Sequence, residues 1–83
     1  MMRKEEVFEI VKGCICEVLP DLKNHHFQYE DRLVDLGADS VDRAEIVTRA
    51  MEALSLQIAR VELSGVKNVG ELADALHYKL QSV

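Results

Sequence analysis

The 83-residue sequence has no tryptophan and one proline, and its aromatic side chains are limited to two Phe and two Tyr. A core must therefore be built mainly from aliphatic side chains, which suits packed helices. No apolar run approaches the roughly 20 residues that span a bilayer, so we expect no membrane segment. Because the chain does not open with a signal-peptide pattern, we expect a cytoplasmic protein.

Basic residues are also scarce: 10 Lys and Arg stand against 15 Asp and Glu, a formal net charge of −5. This balance argues against nucleic acid as a partner and favours partners with basic docking surfaces. At this length we expect one monomeric domain over residues 1–83, with little room for a deep catalytic cleft.

Cysteine is limited to Cys14 and Cys16. On one helix these side chains point to opposite sides, so we expect two reduced thiols, with Cys14 in the core. No second pair completes a zinc site, and the adjacent His25 and His26 are interpreted as surface residues. We therefore expect no bound metal.

Hydrophobic periodicity predicts a first helix from Arg3 to Leu19, which Pro20 ends. Residues 21–39 carry no sustained helical stripe, and we expect this long connection to be held by apolar anchors, with one helical turn, Asp31 to Leu36, ended by Gly37. The apolar stripe of the helix is Val7, Val11, Cys14, Ile15 and Val18, and the anchors are Leu22, Phe27, Leu33 and Leu36.

A second helix is predicted from Val41 to Leu54, with a core stripe of Ile46, Val47, Ala50 and Leu54. A brief, distorted helical turn is expected from Arg60 to Gly65. Asn68 and Glu71 form a variant of the capping box before a last helix. Its apolar stripe is Val69, Leu72, Ala73, Leu76 and Leu80. The predicted fold is all-α, a small four-helix bundle with a short third helix.

The stretch "DLGADSVDRAEIV", residues 35–47, places Ser40 where a helix begins. Asp39 or Ser40 could cap the helix, and taken alone a capping role is the simplest interpretation. The spacing fits neither a calcium loop of the EF-hand type nor the Gly-x-Ser-x-Gly of a hydrolase. A Ser-His-Asp site would need His25, His26 or His77 and an oxyanion pocket that so small a domain does not offer, so we expect no catalytic residue.

A phosphate-linked group on Ser40 fits the local physics better. The first turn of a helix has unpaired amides and the positive end of the helix dipole, and both favour an anion. A separate enzyme would activate the hydroxyl, so the chain would need no base of its own.

The same stretch resembles the phosphopantetheine attachment motif of acyl carrier proteins, and the similarity extends through nearly the whole chain. The resemblance implies that Ser40 carries a 4′-phosphopantetheine arm derived from coenzyme A. It also implies that Asp39 helps a phosphopantetheinyl transferase bind its metal and coenzyme A. The chain would then be a non-catalytic carrier of acyl thioesters.

In this family one face of the second helix recognises partner enzymes. The matching positions here are Val41, Ala44, Glu45, Thr48 and Glu52, flanked by Arg49 and Met51. Ile58 matches an apolar anchor before the third helix. Ala59 departs from the family pattern, because many relatives have proline there.

Arg43 and Arg49 interrupt the acidic second helix that is typical of bacterial fatty-acid carriers. The segments "ADSVDRAEI" and "VKNVGELADAL" are similar to free-standing carriers of polyketide β-branching cassettes, which donate acetyl to a synthase resembling hydroxymethylglutaryl-CoA synthase. Such a synthase, acyltransferases and ketosynthase-type enzymes are the expected partners, beside the transferase. A fatty-acid or peptidyl carrier and an unmodified helical adaptor remain alternatives.

Overall fold

The computed structural model describes residues 2–63 and 65–82, except the side chain of Arg60. Its α-helices are α1 (Lys4–Val18), α2 (Ser40–Ala53) and α3 (Val69–Ser82), and two 3₁₀ turns cover Pro20–Leu22 and Arg60–Leu63. Within the described residues, extended pairing is limited to an isolated bridge between Arg32 and Asn68. The all-α prediction is confirmed.

The short third helix of the predicted bundle is a four-residue 3₁₀ turn, Arg60–Leu63, so the described residues form three α-helices with this turn between the last two. The brief and distorted character expected of this segment is confirmed. Val61 is 76% exposed and Leu63 is only partly buried, so few apolar contacts stabilise a longer helix. The predicted span also included Ser64, which lies outside the described residues.

The core lies where α1 packs against both α2 and α3. Each helix contributes to the core the side chains that periodicity predicted. Three of them lie partly buried at the edge of the core: Val18, Val47 and Leu80. The fully buried large side chains are Val7, Val11, Ile15, Ile46, Val69, Leu72 and Leu76. Cys14 is buried and Cys16 partly buried, and neither forms a disulfide.

The long connection between α1 and α2 is held by the predicted anchors. Leu33 is buried, while Leu22, Phe27 and Leu36 pack partly buried against the core. The predicted turn also forms: Gly37 adopts φ 98°, and the backbone N–H groups of Ala38 and Gly37 bond to the carbonyls of Leu33 and Val34. This pattern is a Schellman motif, which needs a positive φ and therefore favours glycine.

The same connection is tied to the start of α3. The N–H groups of Val69 and Gly70 donate to the carbonyls of Asp31 and Tyr29, at 2.8 and 3.0 Å. The Tyr29 hydroxyl donates to Asp74, which also pairs with Lys4 of α1 at 3.2 Å. Three parts of the chain therefore meet at Asp74, and the bond to it raises the pKa of Tyr29.

The predicted capping box of the last helix is present in altered form. Asn68 Oδ1 accepts from the N–H of Glu71 at 2.7 Å, while the Glu71 carboxylate accepts from the N–H of Lys67 at 2.8 Å and not from that of Asn68. Across the described residues, none of the helices is both long and apolar enough to cross a membrane.

We predict that Gly70→Ala lowers the free energy of unfolding by about 1–3 kcal/mol, because the added methyl group would overlap the Tyr29 ring. Urea unfolding followed by circular dichroism measures the change. Gly13→Ala is the matched control, since a Cβ at Gly13 meets open space within α1 and should raise stability by about 0.5–1 kcal/mol. Equal gains from both substitutions would contradict the close packing of Tyr29 on α3.

A second prediction concerns pH. The N–H of Gln28 donates to Asp31 at 2.8 Å and the His25 ring bonds to it at 2.9 Å, and these bonds lower the pKa of Asp31. Because the folded pKa lies below the unfolded value of about 4, Asp31 stabilises the fold above that value. That contribution is lost as the pH falls through the folded pKa.

Asp31→Asn should therefore cost stability at neutral pH and cost less below about pH 3. Urea unfolding of parent and variant at the two pH values gives both differences. Asp35→Asn serves as a control, because its ion pair with Arg32 at 3.7 Å is exposed and contributes little. A cost for Asp31→Asn that does not change with pH would rule out this linkage.

Candidate functional site

Asp39 is the residue that caps α2. Its Oδ1 accepts a hydrogen bond from the N–H of Asp42 at 2.8 Å, and the Asp42 carboxylate accepts from the N–H of Asp39 at 3.3 Å. This reciprocal pair is a capping box with aspartate in both positions. The choice between Asp39 and Ser40, which the sequence left open, is thereby decided for Asp39.

Ser40 is the first residue of α2 and is exposed. Its hydroxyl makes no hydrogen bond to any residue that the structure describes. The preceding Ala38 is 2% exposed and is held by its bond to Leu33, so the chain enters the helix from a fixed point. Ser40 is thus held in position by its neighbours while its own oxygen stays available for reaction.

A cavity of about 220 Å³ lies beside one face of α2, the helix whose first residue is Ser40. Arg43, Ala44 and Val47 line it from α2, and they follow Ser40 by three, four and seven residues, the spacing of one helix face. The rest of the lining is apolar and comes from Leu33, Leu63, Val66 and Leu72. Ser40 precedes Arg43, Ala44 and Val47 on the same face of α2, so a group attached to its oxygen would begin near this cavity.

The predicted recognition face also lies together on α2. Val41 is 73% exposed, Glu45 and Glu52 are exposed, and Ala44 and Thr48 are partly buried. The Thr48 hydroxyl donates to the carbonyl of Ala44 at 2.9 Å. This face therefore exposes an apolar side chain, Val41, near the start of the helix and two carboxylates further along it. The Thr48 hydroxyl is already hydrogen-bonded within the helix.

The two flanking residues differ. Arg49 pairs with Glu17 of α1 at 3.5 Å and with Glu45 at 3.4 Å, which places it on the α1 side of the face. Met51 is partly buried against the core and, on the other side, lines a cleft with Ile58 and Ala59. Ile58 is 8% exposed, as expected of an apolar anchor.

Cys14 and His25, two of the other candidate nucleophiles and ligands, are engaged elsewhere in the fold. Burial raises the pKa of the Cys14 thiol, and nearby Glu17 raises it further, so this thiol is held in its unreactive neutral form. His25 bonds to Asp31 and packs edge-on against Phe27. In the described part of the chain, no three His, Cys, Asp or Glu side chains are grouped as a metal site would require.

Two features of the structure were not predicted. Arg43 lines the cavity, although its spacing of three residues from Ser40 could have indicated this. The hydrogen bond between Tyr29 and Asp74 spans 45 residues, and no sequence periodicity signals it.

Comparisons with known proteins agree with this arrangement. Residues 9–76 match the family model described as phosphopantetheine attachment site. The chain is 62% identical over 81 residues to the polyketide biosynthesis acyl-carrier-protein AcpK of Bacillus subtilis, covering 98% of this chain and 99% of that protein. It is 30% identical to the acyl carrier protein of Guillardia theta, with 95% and 98% covered.

Among solved structures, the chain resembles one in the crystal structure of the curacin biosynthetic pathway HMG synthase in complex with acetyl donor-ACP. The TM-score is 0.84 and the identity 50%, over 89% of this chain and 95% of that one. Because these shares are both high, the matched chain must be about as short as this one. The matched chain is therefore the carrier of that complex and not the synthase. The chain therefore belongs to the acyl carrier protein family, whose members are non-catalytic carriers with a covalently attached 4′-phosphopantetheine.

Proposed function

We propose that this chain, as a single acyl carrier domain over its 83 residues, holds acetyl as a thioester on an arm at Ser40. It donates the acetyl unit to an enzyme of the hydroxymethylglutaryl-CoA synthase type during polyketide biosynthesis. The observation that carries the proposal is the match to the acetyl donor of the curacin complex, at 50% identity and a TM-score of 0.84. The 62% identity to AcpK supports the polyketide context.

Attachment of the arm uses the free hydroxyl of Ser40. Its Oγ attacks the pantetheine-side phosphorus of coenzyme A, and the bond to the bridging oxygen of the pyrophosphate breaks. A phosphodiester forms on the protein, adenosine 3′,5′-bisphosphate leaves, and the hydroxyl proton goes to a base of the transferase. The bound arm supplies a terminal thiol for the acyl group, and it lets several enzymes share one tethered substrate.

Asp39 is proposed to take part in transferase recognition while it caps α2. Only Oδ1 of its exposed carboxylate is used for the cap. The second oxygen makes no hydrogen bond to the residues that the structure describes, so it can face a metal ion in the transferase. A single aspartate can therefore serve both the fold and the modification reaction.

Partner enzymes are proposed to dock on the α2 face described above. Exposed Val41 lies one residue from Ser40 and gives an apolar contact near the arm, while Glu45 and Glu52 meet basic side chains of the partner. Arg49 and Met51 border this surface and discriminate among partners, because charge at the rim changes the rate of encounter.

We predict that the parent protein gains one phosphopantetheine when it is incubated with coenzyme A, magnesium and a broad-specificity phosphopantetheinyl transferase. Ser40→Ala should gain none, because it lacks the attacking oxygen. Intact-protein mass spectrometry measures both. Ser82→Ala is the matched control, since Ser82 is also exposed and helical but bonds to Tyr78 at the far end of α3.

An arm found on folded Ser40→Ala would overturn the assignment of the serine. No addition to the parent, with a known carrier modified in the same tube, would favour the unmodified adaptor.

For docking, we predict that Arg49→Glu slows acetyl transfer from the loaded carrier to a hydroxymethylglutaryl-type synthase, measured at low salt where surface electrostatics is strongest. The cost in stability should stay within about 1 kcal/mol, because the pairs of Arg49 with Glu17 and Glu45 are exposed. Lys23→Glu makes the same charge change in an exposed loop residue and should leave the rate unaltered.

Equal rates for Arg49→Glu and the parent would remove Arg49 from the recognition surface. Failure of the acetyl-loaded parent itself to serve any such synthase would refute the acetyl-donor proposal and leave attachment at Ser40 intact.

A further inference from the structure

Arg43 has an unusual position for a cation on α2. It is partly buried, and its Nη1 donates to the carbonyl of Ala38 at 3.0 Å. Helical side chains lean toward the helix N-terminus, and this bond shows that the Arg43 guanidinium reaches back past the first turn. The guanidinium therefore lies beside the short segment that carries Ser40.

The charges around Arg43 are not balanced within the chain. Among the residues that the structure describes, no carboxylate forms an ion pair with Arg43, whereas Arg49 on the same helix has two such partners. Of the described residues that line the cavity beside α2, Arg43 is the one with a charged side chain, and the others are apolar. A half-buried cation in this setting costs free energy that a bound anion would offset.

In the first turn of α2, two carboxylates oppose the favourable effect of the helix dipole on a phosphodiester at Ser40. Asp39 and Asp42 place two carboxylates on either side of Ser40, and a phosphodiester there adds a third negative charge. Each acid is held in place by its capping bond, so neither can move away without loss of the cap. A guanidinium nearby would relieve this repulsion.

We infer that Arg43 is a positioning residue for the arm, which binds the phosphodiester on Ser40 and holds the base of the arm at the mouth of the cavity. This inference rests on the proposed attachment at Ser40. A guanidinium has five N–H donors and matches the geometry of phosphate oxygens, so donors remain after the bond to Ala38. Lysine could supply the charge but not the paired hydrogen bonds.

Comparison of apo and holo proteins separates this role from a purely structural one. Loss of the Ala38 bond weakens both forms equally, whereas loss of a phosphodiester contact weakens only the holo form. The apo and holo states of the parent, Arg43→Gln and Arg43→Lys are prepared, each checked by intact mass. Arg49→Gln is the matched control, because it loses the same charge about 9 Å further along the helix.

The unfolding constant of each state is measured in urea. We expect the holo-to-apo ratio of these constants to rise roughly two- to fivefold in Arg43→Gln relative to the parent. Arg43→Lys should give a smaller rise, and Arg49→Gln should match the parent. A ratio for Arg43→Gln equal to that of Arg49→Gln would overturn the inference.

A spectroscopic measurement on the parent keeps the inference testable if Arg43→Gln does not fold. Conversion from apo to holo should shift the Arg43 side-chain Nε–Hε resonance, and the ³¹P resonance of holo Arg43→Lys should differ from that of the parent. An Arg43 resonance unchanged by the arm would contradict the contact. If no arm forms at Ser40, the proposed function fails and this inference fails with it, an outcome the mass check identifies separately.

Discussion

The hydrogen bond from the Asp42 amide to the Asp39 carboxylate is the interaction on which the attachment site depends. A helix start needs a cap, and loss of one costs about 1 kcal/mol. If Ser40 supplied that cap, modification of its oxygen would weaken the helix it begins. Because Asp39 caps instead, and Asp42 returns the bond, the serine is free to be modified without loss of the fold.

The small core of the described residues holds no polar side chain that could serve as a buried reactive group. Fourteen hydrophobic residues are buried in one cluster, and none of the described polar or charged residues is buried. Such a core offers no enclosed polar site in which a catalytic group could be tuned. Cys14, the buried thiol, is part of that core and is kept neutral. A thiol on an arm at Ser40 avoids this limit, since its reactivity does not depend on the core.

The helices could be predicted from the sequence because each buries a regular apolar stripe. Helices α1 and α2 begin and end within one residue of expectation, and α3 begins directly after the predicted cap, Asn68. The Arg60–Leu63 segment lacks such a stripe, since Val61 faces solvent, and it forms only the brief turn that was expected. The motif indicated Ser40 and Asp39 as candidate site residues, but it did not indicate which of them caps the helix. The identity of the capping residue depends on side-chain directions, which the sequence does not specify. The same holds for the hydrogen bond between Tyr29 and Asp74.

The two arginines of α2 show why counting charges along the helix is insufficient. In the amino-acid sequence, Arg43 and Arg49 interrupt the acidic residues of α2 in the same way. In the structure Arg49 is paired with Glu17 and Glu45, so it neutralises carboxylates at the α1 edge of the recognition face. Arg43 instead turns away toward the carbonyl of Ala38. On the predicted recognition face, Glu52 is paired with neither arginine, so the negative charge of that face is reduced only at the α1 edge. Partner selection then depends on where the negative charge remains, since complementarity is set by position and not by net charge.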